Sequence, residues 1–209
     1  MDSKLQGKYS SPSHDSADTV GEAIPARKPG ERYTYADLQT WSEDERWELI
    51  DGIPYAMSSP TAKHQTILIE LATQLNTFLK GKPCTVFIAP FDVRLNADTS
   101  DDTVLQPDVL VICDREKIST SSCIGAPDLT VEILSPSTAI RDMVVKLNLY
   151  KKYGVREYWI IDPESKTVSV YILDNGRYYI TAYAETGTLP VHILEGCDID
   201  LTEVFTEIQ

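Results

Sequence analysis

Two short runs of this chain are apolar almost throughout: Pro107 to Ile112 (Pro-Asp-Val-Leu-Val-Ile) and Leu129 to Leu134 (Leu-Thr-Val-Glu-Ile-Leu). A strand with one wet face alternates apolar and polar residues, whereas a strand covered on both faces reads as a continuous apolar run. Both runs therefore predict central strands with layers above and below them. Two long helical patterns are available to supply those layers. Thr61 to Leu79 carries Ile67, Leu68, Leu71, Leu75, Phe78 and Leu79 on one stripe, and Gly81 and Pro83 end it. Ala139 to Tyr153 follows the second strand after Ser135-Pro136-Ser137-Thr138, a turn rich in capping hydroxyls, and closes at Gly154. Its expected core-facing stripe is Met143, Val144, Leu147 and Tyr150.

The remaining segments fill out a mixed α/β order. Thr34 can cap a short helix over Tyr35 to Trp41, and Ser42 with Glu45 reads as a capping box opening a second short helical turn. Trp47 to Asp51 and Pro54 to Met57 read as a hairpin across Gly52. Strands are expected over Thr85 to Ile88, Phe91 to Leu95 and Glu157 to Ile161, with an acidic turn over Asn96 to Thr103 and a helical turn or loop over Asp114 to Gly125. Val168 to Leu173 and Arg177 to Tyr183 form a hairpin across Asn175-Gly176, the strongest short-range turn signal in the chain. A loop, a short strand and a turn complete the C-terminus. Residues 1–30 are polar, lack periodicity and read as a disordered tail, leaving 31–209 as a single domain.

No apolar run approaches the ~20 residues of a membrane helix, and the N-terminus has no apolar signal region. The expected location is the cytoplasm. Cys84, Cys113, Cys123 and Cys197 form no CxxC pair and are expected as reduced, mostly buried thiols. Nineteen basic against 32 acidic side chains give a net charge of −13, which disfavours indiscriminate binding to polyanions. One stretch reverses the sign: Arg141, Lys146, Lys151, Lys152 and Arg156 stand against Asp142 and Glu157. This helix is the candidate phosphate-contacting surface, through Arg141, Lys151 and Lys152; a merely solvated face accounts for it equally well.

The chemistry lies in the acids inside the two apolar runs, Asp108 and Glu132. A carboxylate in a buried strand costs several kcal/mol unless paired or metal-bound. Two of them ~4 Å apart would repel by about 4 kcal/mol at an effective dielectric of ~20. A divalent cation relieves this, and Mg²⁺ takes one or two carboxylates plus waters and a substrate phosphate. The alternative is that either acid faces solvent or bonds backbone amides. Lys146 lies on the helix after Glu132 and could reach the strand acids, or could form only an exposed i,i+4 pair with Asp142. No Gly-x-Ser-x-Gly elbow, P-loop or GxGxxG occurs.

Five segments recur together in one known order: Glu48-Leu49-Ile50-Asp51-Gly52; Gln106-Pro107-Asp108-Val109; Val131-Glu132-Ile133-Leu134-Ser135-Pro136-Ser137-Thr138; Arg141-Asp142 with Lys146 and Tyr150; and Gly154-Val155-Arg156-Glu157-Tyr158-Trp159 with Asp162-Pro163. In these the chain resembles the Uma-type family of restriction-endonuclease-like bacterial proteins, within the PD-(D/E)xK nuclease superfamily, over roughly Tyr33 to Leu201. The resemblance implies a restriction-endonuclease-like core, a mixed sheet flanked by helices, to which the order of elements adds the antiparallel hairpin as a C-terminal extension. It implies a Mg²⁺-dependent endonuclease (Mn²⁺ as substitute) acting on nucleic acid, DNA before RNA. Asp108 and Glu132 match the motif acids, and Glu48 matches an upstream acid that completes the metal shell. The usual lysine two residues after Glu132 is replaced by Leu134; the resemblance assigns that role to Lys146. His64 also matches a family position, with a local hydrogen bond in the first helical turn as its other explanation. The competing expectations are a catalytically inactive nuclease fold that binds nucleic acid or protein, and a homodimer built through the tyrosine-rich hairpin of Tyr171, Tyr178, Tyr179 and Tyr183, whose other explanation is ordinary cross-strand packing.

Overall fold

A computed structural model describes residues 30–42, 44–136 and 138–206. The tail expected over residues 1–30 therefore lies outside the described residues except for Gly30, as does Ser137 of the capping turn. In chain order the elements are α1 (Tyr35–Leu38), β1 (Trp47–Ile50), β2 (Ile53–Ala56), α2 (Ala62–Leu79), β3 (Thr85–Ile88), β4 (Asp92–Arg94), β5 (Val104–Leu105), β6 (Val109–Ile112), β7 (Ser122–Ile124) and β8 (Leu129–Ile133). A π-helical turn (Arg141–Lys146) then runs into α3 (Leu147–Tyr153). The chain ends with β9 (Glu157–Asp162), β10 (Thr167–Asp174), β11 (Arg177–Tyr183), β12 (Thr188–Pro190), β13 (Asp198–Asp200) and α4 (Leu201–Val204).

The central sheet has six strands in the order β11-β10-β9-β8-β6-β3. Only β8 and β9 pair parallel, because the π-turn and α3 carry the chain back between them; every other neighbour is antiparallel. The apolar runs behave as a two-sided core requires. Val109, Val111, Trp159 and Ile161 pack into the cluster that contains Ile67, Leu68, Leu71 and Leu75 of α2. Their sequence neighbours Leu110, Ile112, Tyr158 and Ile160 point the other way, against Leu149 and Tyr150 of α3. This is the period-two alternation of a strand with both faces dry, at roughly 1.5–3 kcal/mol per large apolar side chain buried. Helix α2 begins where expected, with the Thr61 hydroxyl accepting the His64 N–H.

A second sheet, β2-β1-β5-β4-β7, is assembled from segments on either side of β3 and β6. Its β5 and β7 were not expected, since strands of two and three residues carry no readable period. The turn of its first hairpin has Gly52 at φ +71°, where an added Cβ would sit 2.7 Å from the Arg32 Cβ. Glycine is required there, and the hairpin it closes carries Glu48.

Several expectations need correction. The capping box belongs to Thr34 and Asp37 at α1, which stops at Leu38. Ser42 and Glu45 form only a turn, closed by Glu45 N–H to Ser42 C=O at 3.3 Å. The Val168–Tyr183 hairpin forms as expected, β10 and β11 extending the central sheet antiparallel at its edge, and β12 and β13 add a small C-terminal antiparallel hairpin. Cys84 and Cys113 are joined as a disulfide rather than held as free thiols. The register of β3 on β6, with Thr85 opposite Ile112, places these two cysteines across from one another just past the paired strands. Cys123 and Cys197 are free and buried, as expected. No helix among the described residues is long and apolar enough to cross a membrane.

Candidate active site

The C-terminal half of β8 delivers Glu132 to the boundary between the two sheets. Its Oε1 accepts two hydrogen bonds, from Lys146 Nζ at 2.9 Å and from the Tyr150 hydroxyl at 2.8 Å. Lys146 and Tyr150 are four residues apart, so one helix face presents both donors to one oxygen. Lys146 is 3% exposed and its ammonium touches two more carboxylates, Glu48 Oε1 at 2.8 Å and Asp142 Oδ1 at 3.3 Å. The last contact is ionic rather than a hydrogen bond, since Asp142 Oδ1 is buried without a hydrogen-bond partner. Glu48 comes from β1 of the second sheet, and its Oε1 also accepts the Gln106 N–H at 3.0 Å. Lys146 thus ties the two sheets and the crossover helix together. Arg141 lies beside this cluster, with Nη1 3.9 Å from Glu48 Oε2 and its guanidinium 4.4 Å over the Tyr55 ring.

Asp108 stands one residue before β6, at the strand's entry rather than inside it. Its Oδ2 accepts the Ile133 N–H at 2.7 Å and lies 3.2 Å from His64 Nε2. His64 sits in the first turn of α2, and its Nδ1 is buried without a hydrogen-bond partner. Asp108, Glu132, Glu48, His64, Lys146 and Arg141 all line one cleft of about 550 Å³.

Burial and crowding set the protonation of the cluster. Burial pushes the Glu132 carboxyl well above the usual carboxylate range; Lys146 opposes this, while Asp142, Asp108 and Glu48 push it further up. Burial likewise raises Asp142, against the pull of Lys146. Burial alone would lower Lys146, but Glu132, Glu48 and Asp142 outweigh it and hold the ammonium charged well beyond its ordinary range.

Of the residues singled out from sequence, six converge and two do not. Lys151 and Lys152 are exposed on the last turn of α3 and do not line the cleft. The expected apolar stripe is shifted by one position at its start: Met143 and Val144 are 49% and 54% exposed, whereas Asp142 and Lys146 are buried. The inward positions are Asp142, Lys146, Leu149 and Tyr150, a regular i, i+4, i+7, i+8 pattern whose first two members are charged. Hydrophobic periodicity cannot see such a face, because it scores Asp and Lys as outward. Asp142 and the hydroxyl role of Tyr150 were missed for that reason. Gln106 was missed too; its side chain is gripped by Arg46 and donates to Asp92 Oδ1 at 2.8 Å.

The donor set suits a hard divalent cation in part. No group of three or more His, Cys, Asp or Glu side chains is gathered for a metal among the described residues. The bonds described above fall on Asp108 Oδ2 and Glu132 Oε1, so each acid has a second oxygen that takes none of them. Two carboxylates with water completing the shell is an ordinary Mg²⁺ arrangement.

Residues 33–202 match the family described as "Uma2: Putative restriction endonuclease". The chain is 30% identical over 153 residues to "Uncharacterized protein slr1290" of Synechocystis sp., spanning 71% of this chain and 79% of that relative. It is also similar to the crystal structure of "a putative nuclease belonging to DUF820" from Anabaena variabilis, with a TM-score of 0.67 at 22% identity, covering 83% of this chain and 97% of that one. At that identity the structural likeness speaks for the fold.

Proposed function

We propose that this chain, which belongs to the Uma2 family, is a metal-dependent endonuclease that hydrolyses phosphodiester bonds of nucleic acid, DNA in preference to RNA, in the cytoplasm. The observation that carries the reading is a charge imbalance in one buried cleft. Glu48, Asp108, Glu132 and Asp142 stand against Lys146 and Arg141, while the cleft's other cations, Arg46 and Lys63, are engaged by Gln106 and Glu164. With all four acids ionised, two negative charges are in excess, and one divalent ion would offset them and favour that ionised state.

Asp108, Glu132 and the Ile133 carbonyl, with Glu48 alongside, would hold Mg²⁺, or Mn²⁺ in its place. When bound, the ion supplies Lewis-acid neutralisation of the scissile phosphate and activation of water. The chain's own groups do the positioning. The Ile133 N–H and His64 fix one oxygen of Asp108, and Tyr150 fixes one oxygen of Glu132. Lys146 is a preorganised donor in a site shielded from solvent, where negative charge developing on the attacked phosphate is stabilised most. Arg141, at the cleft wall, is suited to a phosphate oxygen, and Lys151 and Lys152 to phosphates beyond the cleft.

A second reading has its own support. Lys146 already pairs with three acids, and no three-ligand cluster is assembled among the described residues. A fold with that arrangement could serve as a non-catalytic binding module. Calorimetric titration of Mg²⁺ and Mn²⁺ into the wild type and the Asp108→Ala/Glu132→Ala variant, with plasmid cleavage on the same samples, separates the two. Binding and cleavage in the wild type, both lost in the variant, are the expected result. Absence of metal binding even with DNA added makes these structural acids and leaves the binding module.

A further inference from the structure

Every sheet edge presents unpaired N–H and C=O groups that invite another strand, and most edges carry a guard. Here β2 contains Pro54, β3 has four residues between Pro83 and Pro90, and β7 has three. The edge strand β11 is the exception among the described edges of the two large sheets. It runs seven residues, Arg177–Tyr183, with no proline, lysine or acid, and its only charge is Arg177 at its first position. Tyr179 and Ile180 are 58% and 60% exposed.

We propose that β11 pairs antiparallel with β11 of a second copy of this chain, about a two-fold axis at Thr181. The hairpin fixes which backbone groups are available. Asp174 opposite Arg177 closes a two-residue turn, with Asn175 at φ 47° and Gly176 at φ 73°. A turn of this kind makes the closing pair a hydrogen-bonded one. Alternation then turns the backbone groups of Arg177, Tyr179, Thr181 and Tyr183 towards β10, and those of Tyr178, Ile180 and Ala182 outward. A two-fold at Thr181 sets Ile180 opposite Ala182 of the second copy, an outward-bonding pair on both sides.

The same register is complementary in side chains and in charge. From Arg177 to Glu185 the sequence reads Arg-Tyr-Tyr-Ile-Thr-Ala-Tyr-Ala-Glu. Folded back on itself at Thr181, it sets Tyr179 against Tyr183 and Thr181 against Thr181, and, with β11 lengthened on pairing by Ala184 and Glu185 beyond its end at Tyr183, Arg177 against Glu185. On the other face Tyr178 meets Ala184 and Ile180 meets Ala182, large against small. Opposite charges, aromatic pairs and Thr–Thr pairs are the favourable cross-strand combinations, and symmetry repeats each non-axial one. Shifting the axis to Ile180 keeps the backbone parity but puts Arg177 opposite Tyr183 and loses the charge pairs. Glu185 has one cation already, Lys166 at 3.2 Å, but its side chain is 51% exposed and open to a second. The pairing is independent of the nuclease reading.

The test is light scattering of the full chain across a range of concentrations, with circular dichroism on each variant to confirm folding. The wild type is expected as a dimer of twice 23.4 kDa. Arg177→Glu sets acid against acid at both ends and should weaken dimerisation by on the order of tenfold, and Arg177→Glu with Glu185→Arg should restore it. Thr181→Cys should cross-link on oxidation, since directly opposed non-hydrogen-bonded residues lie ~4.5 Å apart at Cα, within disulfide range. Tyr179→Cys, which faces Tyr183, should not. A monomer at every concentration overturns the proposal. So does a dimer indifferent to Arg177→Glu that fails to cross-link through Thr181→Cys.

Discussion

Replacing Lys146 with methionine keeps the side chain's length and apolar stem and removes one charge. In the folded protein that charge lies 2.8, 2.9 and 3.3 Å from Glu48, Glu132 and Asp142. At an effective dielectric of ~20 each contact is worth about 5–6 kcal/mol before desolvation. Most of that gross attraction is cancelled by stripping water from four buried ions and by repulsion among the acids. What remains on deleting one partner of such a cluster is about 3–5 kcal/mol, enough to consume a large share of a domain's stability. The deficit should depend on pH. Glu132 and Asp142 are already held above their ordinary range. The folded state therefore keeps protons that the unfolded state has lost, and stability falls as pH rises through that window. Without Lys146 the acids shift further up, so the loss is larger near pH 8 than near pH 5. Lys146 itself, raised above its ordinary value, contributes fully up to about pH 10 and less above it. Urea unfolding of wild type and Lys146→Met at both pH values measures this, and saturating Mg²⁺ should return part of the difference at high pH. A variant as stable as wild type at both pH values would refute the view that this ammonium holds the acids in place.

Tyr150→Phe leaves the buried ring but removes the donor to Glu132 Oε1. We expect a loss of about 1.5–3 kcal/mol, read as a lower urea midpoint at unchanged slope, together with weaker Mg²⁺ binding by calorimetry. The Cys84–Cys113 bond closes a loop with a sequence separation of 29. Its removal in Cys84→Ser/Cys113→Ser should cost up to about 3–4 kcal/mol by loop entropy, and addition of reductant to the wild type should shift the melting temperature in the same direction. Lys151→Glu with Lys152→Glu should flatten the salt dependence of DNA affinity, measured by fluorescence anisotropy, by roughly two in log–log slope; an unchanged slope removes them from the phosphate-contacting surface.

The framework was legible because burial on both faces leaves a continuous apolar signature. The runs around Asp108 and Glu132, the α2 stripe and the Asn175-Gly176 turn all gave elements close to those observed. Strands β5 and β7 were not legible, since two or three residues stabilised by partners distant in sequence leave no local period. The disulfide was missed because it depends on the register of β3 against β6, which spacing alone does not reveal. The acids of the site could be suspected as charges inside apolar strands. Asp142 could not, because its burial depends on which face of the crossover helix turns inward, and a pattern that counts apolar residues chooses the wrong face there.

The charged inward face of this helix shows how the site is organised. A lysine two residues after Glu132 would extend from the same strand face as Glu132. Leu134 occupies that position, packing with the second core cluster and lining the cleft. The ammonium instead arrives from the crossover helix and reaches the same carboxylate at 2.9 Å. Moving the lysine to the helix has a structural cost: the inward face must open with Asp142 and Lys146 where a crossover helix would ordinarily place apolar residues. The helix meets it with a π-helical turn over Arg141–Lys146, a form concentrated at functional sites. Tyr158 holds that turn by donating to the Asp142 carbonyl at 3.0 Å. Exposed Ile140, Met143 and Val144 are the other side of the same exchange. The π-turn, the tyrosine hydroxyls that bond Glu132 and the Asp142 carbonyl, and the outward apolar side chains thus occur together around the segment that carries the cation.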